Sequence, residues 1–217
     1  MANDIGWGEG ACNNEIGWGI AQEYFSCSGS GAAPVGATLM KTGQTTSYRT
    51  GDDGDLEAGR ADSFTVLASN NPFGNTNRFT DELGGQTYTK NIVIDWSTYN
   101  GSTVLGWYII DNGTNVTWNA AIDGALAISV TGFTTGWRLP NIMEFCSIMN
   151  FSLTSQLNYA PLNFGGKAFQ TSTTNGFTTT NNWTINSTGT PGVSVKSNAS
   201  GRFVGVRTFT VTGTTLT

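Results

Sequence analysis

Trp137-Arg138-Leu139-Pro140-Asn141-Ile142-Met143-Glu144-Phe145 is the stretch whose reading decides the fold. A large aromatic, a fixed cation and a proline in succession lock a strand-to-helix corner, and proline opens helices readily because its missing N–H is not needed there. Beyond the corner Ile142, Phe145, Cys146 and Met149 recur at three- and four-residue spacing, which predicts a helix over 141–150 with Met and Phe as core residues. Trp137, Arg138, Leu139, Pro140 and Glu144 form one structural motif in this reading. Arg138 is expected to stack on an aromatic or to pair with an acid such as Glu144 or Asp95.

Upstream, residues 117–128 place Trp118, Ile122, Ala125 and Leu126 on one face, with Thr117 or Asn115 as the cap, and predict a first helix. Further back, Ile92-Val93-Ile94-Asp95-Trp96 and Gly106-Trp107-Tyr108-Ile109-Ile110 read as two buried strands. Between 35 and 79 the signals are turns and short strands, with Gly51-Asp52-Asp53-Gly54-Asp55 and Asn70-Asn71-Pro72-Phe73-Gly74 as turn formers. Downstream of Phe164 the chain is rich in Thr, Ser, Asn and Gly. Strands are expected at 182–185 and 202–207, with 209–211 continuing the last one and 212–217 as a polar tail.

The chain has 217 residues, enough for one main domain with an appendage. Only 12% of its residues are charged and 29 are glycine, whereas 38% are hydrophobic and seven are Trp, so a loop-rich, β-leaning fold with a real core is expected. A formal charge of −5 with ten Lys and Arg argues against nucleic acid as a partner. No apolar run long enough to span a bilayer and no basic-then-apolar leader is present, so neither a membrane nor an export route is expected.

Histidine is absent, which removes Ser/His/Asp and Cys/His nucleophile systems and most zinc hydrolases. Cys12, Cys27 and Cys146 show no CxxC spacing and read as small, mostly buried thiols, with a Cys12–Cys27 bridge as the alternative. Asp52, Asp53, Asp55 and Glu57 invite a calcium reading, but their spacing is not that of an EF-hand, and acidic residues sit in tight turns for local reasons. Asp81, Glu82, Asp95, Asp111, Asp123 and Glu144 contain the carboxylates a glycosidase would need, and nothing in their spacing selects a pair. No catalytic residue, metal or cofactor is therefore expected, and the chain reads as a non-enzyme.

The first 34 residues are distinct: Ile5-Gly6-Trp7-Gly8 recurs as Ile16-Gly17-Trp18-Gly19, and a small-residue hinge follows at 29–34. Flanking glycines let the backbone pack closely while each indole projects, so Ile5, Trp7, Ile16 and Trp18 read as an anchor that docks on another chain, followed from residue 35 by the main domain. At the other end, aromatic plates beside Asn and Thr make Phe169, Thr171, Thr173, Phe177, Asn181 and Trp183 the candidate ligand contacts.

Several of these segments occur together in one family. Lys41-Thr42-Gly43-Gln44-Thr45 with Gly51-Asp52-Asp53-Gly54-Asp55-Leu56, Asn77-Arg78-Phe79-Thr80-Asp81, Thr117-Trp118-Asn119-Ala120-Ala121-Ile122, the Trp137-to-Phe145 stretch, Thr171-Ser172-Thr173 and Val204-Gly205-Val206-Arg207 follow in order over about residues 39 to 211. This arrangement resembles the domains related to the C-terminal domain of legionella collagen-like adhesins. The resemblance implies an α+β, C-type-lectin-like domain: two helices on a twisted antiparallel sheet with long loops. The chain has Phe169-Gln170-Thr171-Ser172-Thr173 where that family usually carries Trp-Ser-Ser-Thr. The Gly/Trp repeat is similar to the start of virion proteins from phages of Bacteroidota.

Together these readings point to a bacteriophage virion structural protein: a head fibre, capsid decoration or tail fibre, displaying a lectin-like domain for host-surface or glycan adhesion. Its expected partners are other virion proteins through the N-terminus and a host-surface glycan or protein, with a homotrimer or other symmetric homo-oligomer supplying avidity. The alternatives are a bacterial surface adhesin and a decoration protein without ligand.

Overall fold

The computed structural model of the chain describes residue 42, residues 45–56 and residues 64–217. The anchor residues Ile5, Trp7, Ile16 and Trp18, the hinge, the boundary at residue 35, Cys12, Cys27 and Glu57 lie outside the described residues.

The described chain is mixed α+β, with few helices and two antiparallel sheets. A single turn α1 (Asp53–Leu56) precedes β1 (Phe79–Thr80), β2 (Ile92–Asp95) and β3 (Thr103–Tyr108). Helices α2 (Trp118–Leu126) and α3 (Ile142–Ser147) follow, then β4 (Phe169–Thr174), β5 (Asn181–Ile185), β6 (Pro191–Val195), β7 (Gly205–Thr212) and β8 (Thr215–Leu216). The main sheet has the order β1-β2-β3-β7-β8 and the small one β4-β5-β6. Strand β7 returns to lie beside β3, from Thr103 opposite Thr210 to Tyr108 opposite Gly205, so both helices and the small sheet form one excursion between two hydrogen-bonded neighbours.

Both faces of the main sheet are covered, which explains why β2 reads as an unbroken apolar run. Val93, Trp107 and Val206 pack with Phe145, Ile148, Phe164 and Phe169 on the face toward α3. On the other face Ile92, Ile94, Val104 and Phe209 pack with Trp96, Phe133 and Trp137.

Arg138 exchanges two 2.9 Å backbone hydrogen bonds with Val206, which staples the corner to β7. Trp137 is buried and donates its indole N–H to the Phe133 carbonyl at 2.7 Å, while Leu139 and Pro140 are buried beside it. Asn141 is the cap of α3: its side chain accepts from Glu144 N–H at 2.9 Å, and the Glu144 carboxylate accepts from Asn141 N–H at 2.8 Å. Arg138 forms a two-point pair with that same carboxylate, which leaves Asp95 to another residue.

That residue is Arg78. Its Nε and Nη2 each donate at 2.8 Å to the Asp95 carboxylate, and both side chains are fully buried. Nη1 donates to the Phe64 carbonyl and Nη2 to the Ser147 carbonyl, so one guanidinium ties the segment before β1, strand β2 and the end of α3 together.

Four expectations need correction. Helix α3 ends at Ser147, not 150, because Ile148 leaves helical geometry and turns both itself and Met149 into the core. Leu126 is exposed, since Ala121, Ala125 and the neighbouring Leu139 define the buried side of α2. The last strand starts at Gly205, not 202. Residues 212–217 are not a free tail: Thr215–Leu216 pairs with β7, Leu216 is buried, and Thr210 N–H donates to the Thr217 carbonyl.

Candidate functional site

The Thr/Asn-rich final third folds into the small sheet, and α2 docks against it. Thr117 caps α2 as expected, its hydroxyl accepting from Ala120 N–H. Two bonds then fix the first turn of α2 to the small sheet: Trp118 N–H donates to the Lys196 carbonyl at 3.0 Å, and the Trp118 indole N–H donates to the Thr171 carbonyl at 2.8 Å. Gly124 is required by the packing of the same helix, because a Cβ there would lie 2.3 Å from the Phe203 ring.

Behind the small sheet lies a buried amide network. Asn182 donates to the Gln170 side-chain oxygen at 2.8 Å, and Gln170 donates onward to the Val116 carbonyl at 2.9 Å and the Ser200 hydroxyl at 3.1 Å. Both amides are fully buried, so their bonds hold the segment leading into α2, the loop at Ser200 and the middle of the sheet in one register.

Where these parts meet, Thr117, Asn119, Thr180, Val195, Lys196 and Ser197 line a groove of about 630 Å³. Its walls are hydroxyls, one amide and one ammonium, with Val195 as the apolar side. The Lys196 ammonium sits 4.0 Å from the centre of the Trp118 ring and donates to the Thr174 hydroxyl at 2.8 Å. The ring beneath the charge and the Thr174 hydroxyl beside it hold that ammonium in place.

The six predicted ligand contacts divide. Phe169 and Thr171 are fully buried and are withdrawn as ligand contacts: Phe169 stacks on Phe145 at 5.7 Å, and Thr171 donates its hydroxyl to the Trp183 carbonyl. Thr173 is half-buried and its hydroxyl accepts from Ile142 N–H at 3.1 Å, anchoring α3. Phe177, on the loop between β4 and β5, is wholly exposed, whereas Asn181 and Trp183 are half-buried opposite Val195 and Val193. Val193 and Val195 are themselves exposed, so this side of the small sheet presents aromatic and aliphatic surface next to the groove.

Thr117, Asn119 and Lys196 were not anticipated as site residues. Lys196 carried the available signal, being the one cation in the polar stretch from 168 to 201, but its neighbour Trp118 is distant in sequence and only the fold unites them.

A second cleft of about 360 Å³ lies at the corner, lined by Thr98, Thr103, Leu105, Arg138, Met143, Glu144 and others. Its ion pair already satisfies both charges and raises the Arg138 pKa, the Glu144 hydrogen bonds outweighing burial.

The carboxylates considered for catalysis are each committed elsewhere, Asp123 excepted. Asp81 accepts from Leu83, Gly85 and Thr87 N–H; burial works against its ionisation, but these donors prevail and hold the carboxyl below the ordinary range. Asp111 is likewise lowered against the cost of burial, by Lys167, Gly113 N–H and Arg202. Glu82 lies within 3.2 Å of Lys90, Asp95 pairs with Arg78 and Glu144 with Arg138. In the acidic loop Asp52 accepts from Tyr48, Arg49 and Asp55 N–H and Asp55 accepts from Gly51 N–H, so these carboxylates cap the α1 turn. Cys146 is a free, half-buried thiol whose pKa burial pushes up, which favours the protonated form. Among the described residues no helix is long and apolar enough to cross a membrane.

Comparison of the chain with protein-family models, with curated proteins and with solved structures finds no match.

Proposed function

We propose that the protein is a non-enzymatic structural and surface-recognition protein, a bacteriophage virion component that displays a saccharide-binding domain of C-type-lectin-like plan. The observation that carries the binding role is the groove between α2 and the small sheet. Its hydroxyl and amide walls (Thr117, Asn119, Thr180, Ser197) offer short-range donors and acceptors, which suits holding a hydroxyl-rich ligand. The fold supports the lectin-like plan in one respect: two short helices and a loop-rich second sheet are inserted between β3 and β7, neighbours in the main sheet.

The virion role rests on the repeated Ile-Gly-Trp-Gly segment, in which Ile5, Trp7, Ile16 and Trp18 engage a capsid or tail protein and the domain faces outward. Display in a symmetric homo-oligomer would multiply one shallow groove into an avid surface.

Two experiments test this reading. Binding of the full-length chain to an array of host-surface saccharides should yield ligands whose capture is weakened by Asn119→Ala; an array with no ligand leaves a decoration protein as the better description. Cryo-EM of phage particles carrying the chain should place Trp7 and Trp18 against another protein, and particles without it would favour a bacterial adhesin.

A further inference from the structure

We infer that the groove takes an anionic saccharide, one bearing a carboxylate or a sulfate, and that Lys196 is the residue that reads its charge. The inference rests on the saccharide-binding role proposed above and narrows it to a ligand class.

Five other described cations pair with an acid, Arg78 with Asp95, Lys90 with Glu82, Arg138 with Glu144, and Lys167 and Arg202 with Asp111, whereas Arg207 lies over the Phe133 and Phe209 rings and does not line the groove. Lys196 lines the groove and forms no ion pair with an Asp or Glu of the described residues; its recorded partners are a neutral hydroxyl and an indole face. An ammonium carries three donors, and these two contacts leave one for a ligand. Among the described residues no carboxylate lines the groove, so an incoming anion meets no repulsion from these walls.

The cation is also held in advance. Trp118 is pinned by its indole bond to Thr171, and the ring in turn positions the ammonium, so little side-chain freedom is lost when an anion arrives. Around it, Thr117, Asn119, Thr180 and Ser197 supply the neutral hydrogen bonds that the hydroxyls of a sugar ring require.

The chain's formal charge of −5 opposes a polyanion at long range, so recognition must be short-range, one charge at a time. Binding should therefore weaken only modestly as salt rises.

The test uses the full-length chain and matched probes: lactose against sialyllactose and 3′-sulfolactose, and a neutral galactan oligomer against its galacturonate counterpart. The acidic member of each pair should bind about tenfold more tightly, as a charge-assisted hydrogen bond predicts. Lys196→Met should abolish that preference, with a cooperative thermal melt showing that the variant is folded, and Lys196→Arg should retain it. Equal binding of neutral and acidic probes by the native chain overturns the charge-reading role but leaves saccharide binding standing. An acidic preference that survives in the Met variant overturns the assignment to Lys196. Poly-glutamate bound as tightly as the acidic sugars, and in a Lys196-dependent way, overturns the saccharide class. Binding of no saccharide at all removes the underlying reading together with this one.

Discussion

Arg78 and Asp95 meet in a two-point ion pair at 2.8 Å in the fully buried centre of the domain, with Arg78 also lying over the Phe64 and Phe79 rings. Removing both charges from water is costly, and the pair is tolerated because the remaining guanidinium donors find the Phe64 and Ser147 carbonyls. Breaking it from one side strands the other charge. Arg78→Met should cost about 3–5 kcal/mol, measured by urea unfolding, and Asp95→Leu added to it should return part of that loss. Additive losses in the double variant would refute the coupling.

Arg138 and Glu144 invite a smaller expectation, because the Arg138 side chain is 41% exposed. Solvent screens such a pair, so Arg138→Ala should lose only about 1 kcal/mol. Glu144→Ala removes the capping box as well and should lose about 2 kcal/mol. Thermal melts of the two variants check the order; a larger loss for Arg138→Ala would mean that the backbone staple to Val206 depends on its side chain.

What the sequence makes legible follows from how local each signal is. The Thr117 cap, the corner at Pro140 and the Ile92 and Trp107 strands are written within a few neighbouring residues and the structure has them, although the strands run 92–95 and 103–108 where 92–96 and 106–110 were expected. The partner of Asp95 lies 17 residues away and that of Trp118 lies 53, so composition suggested Arg138 for the first and nothing for the second. Phe169 was read as a surface plate because its neighbours are Thr, Ser and Gln; yet Gln170 and Thr171 are themselves buried, their polar groups satisfied inside the sheet. Pattern reading treats polar residues as outward, and a fold with buried amide networks defeats it. The Thr-rich end failed for the same reason, since β8 is held by backbone bonds to β7 that no side chain announces.

Asp81 gives the domain a stated response to acid. Burial disfavours its charge, but donors from Gly85, Thr87 and Leu83 outweigh that and lower its folded pKa below the ordinary 3.8. A group with a depressed folded pKa stabilises above its unfolded value and loses that contribution as pH falls through the folded one. Asp111 is lowered in the same direction, so stability should hold at neutral pH and fall below about pH 4. Asp81→Asn should reduce stability at pH 7 by about 1–2 kcal/mol and flatten the acid limb. Urea midpoints between pH 6 and pH 2 check this, and a variant with an unchanged acid limb would assign the response to other groups.

Gln170 and Asn182 connect the core to the candidate site. Gln170→Leu removes the acceptor for Asn182 and the donor to the Val116 carbonyl, all in a fully buried setting, and should cost about 1–3 kcal/mol. Replacing Asn182 by Leu in the same chain removes the stranded amide and should recover part of the stability. Groove function should not recover with it, because the bonds to Val116 and Ser200 set where α2 enters, and with it Thr117, Trp118 and the ring under Lys196. The double variant is thus expected to melt near the native temperature but to bind saccharide several-fold more weakly, with hydrogen exchange raised at residues 116–119. Native affinity in that variant would show that the network stabilises the sheet without positioning the groove.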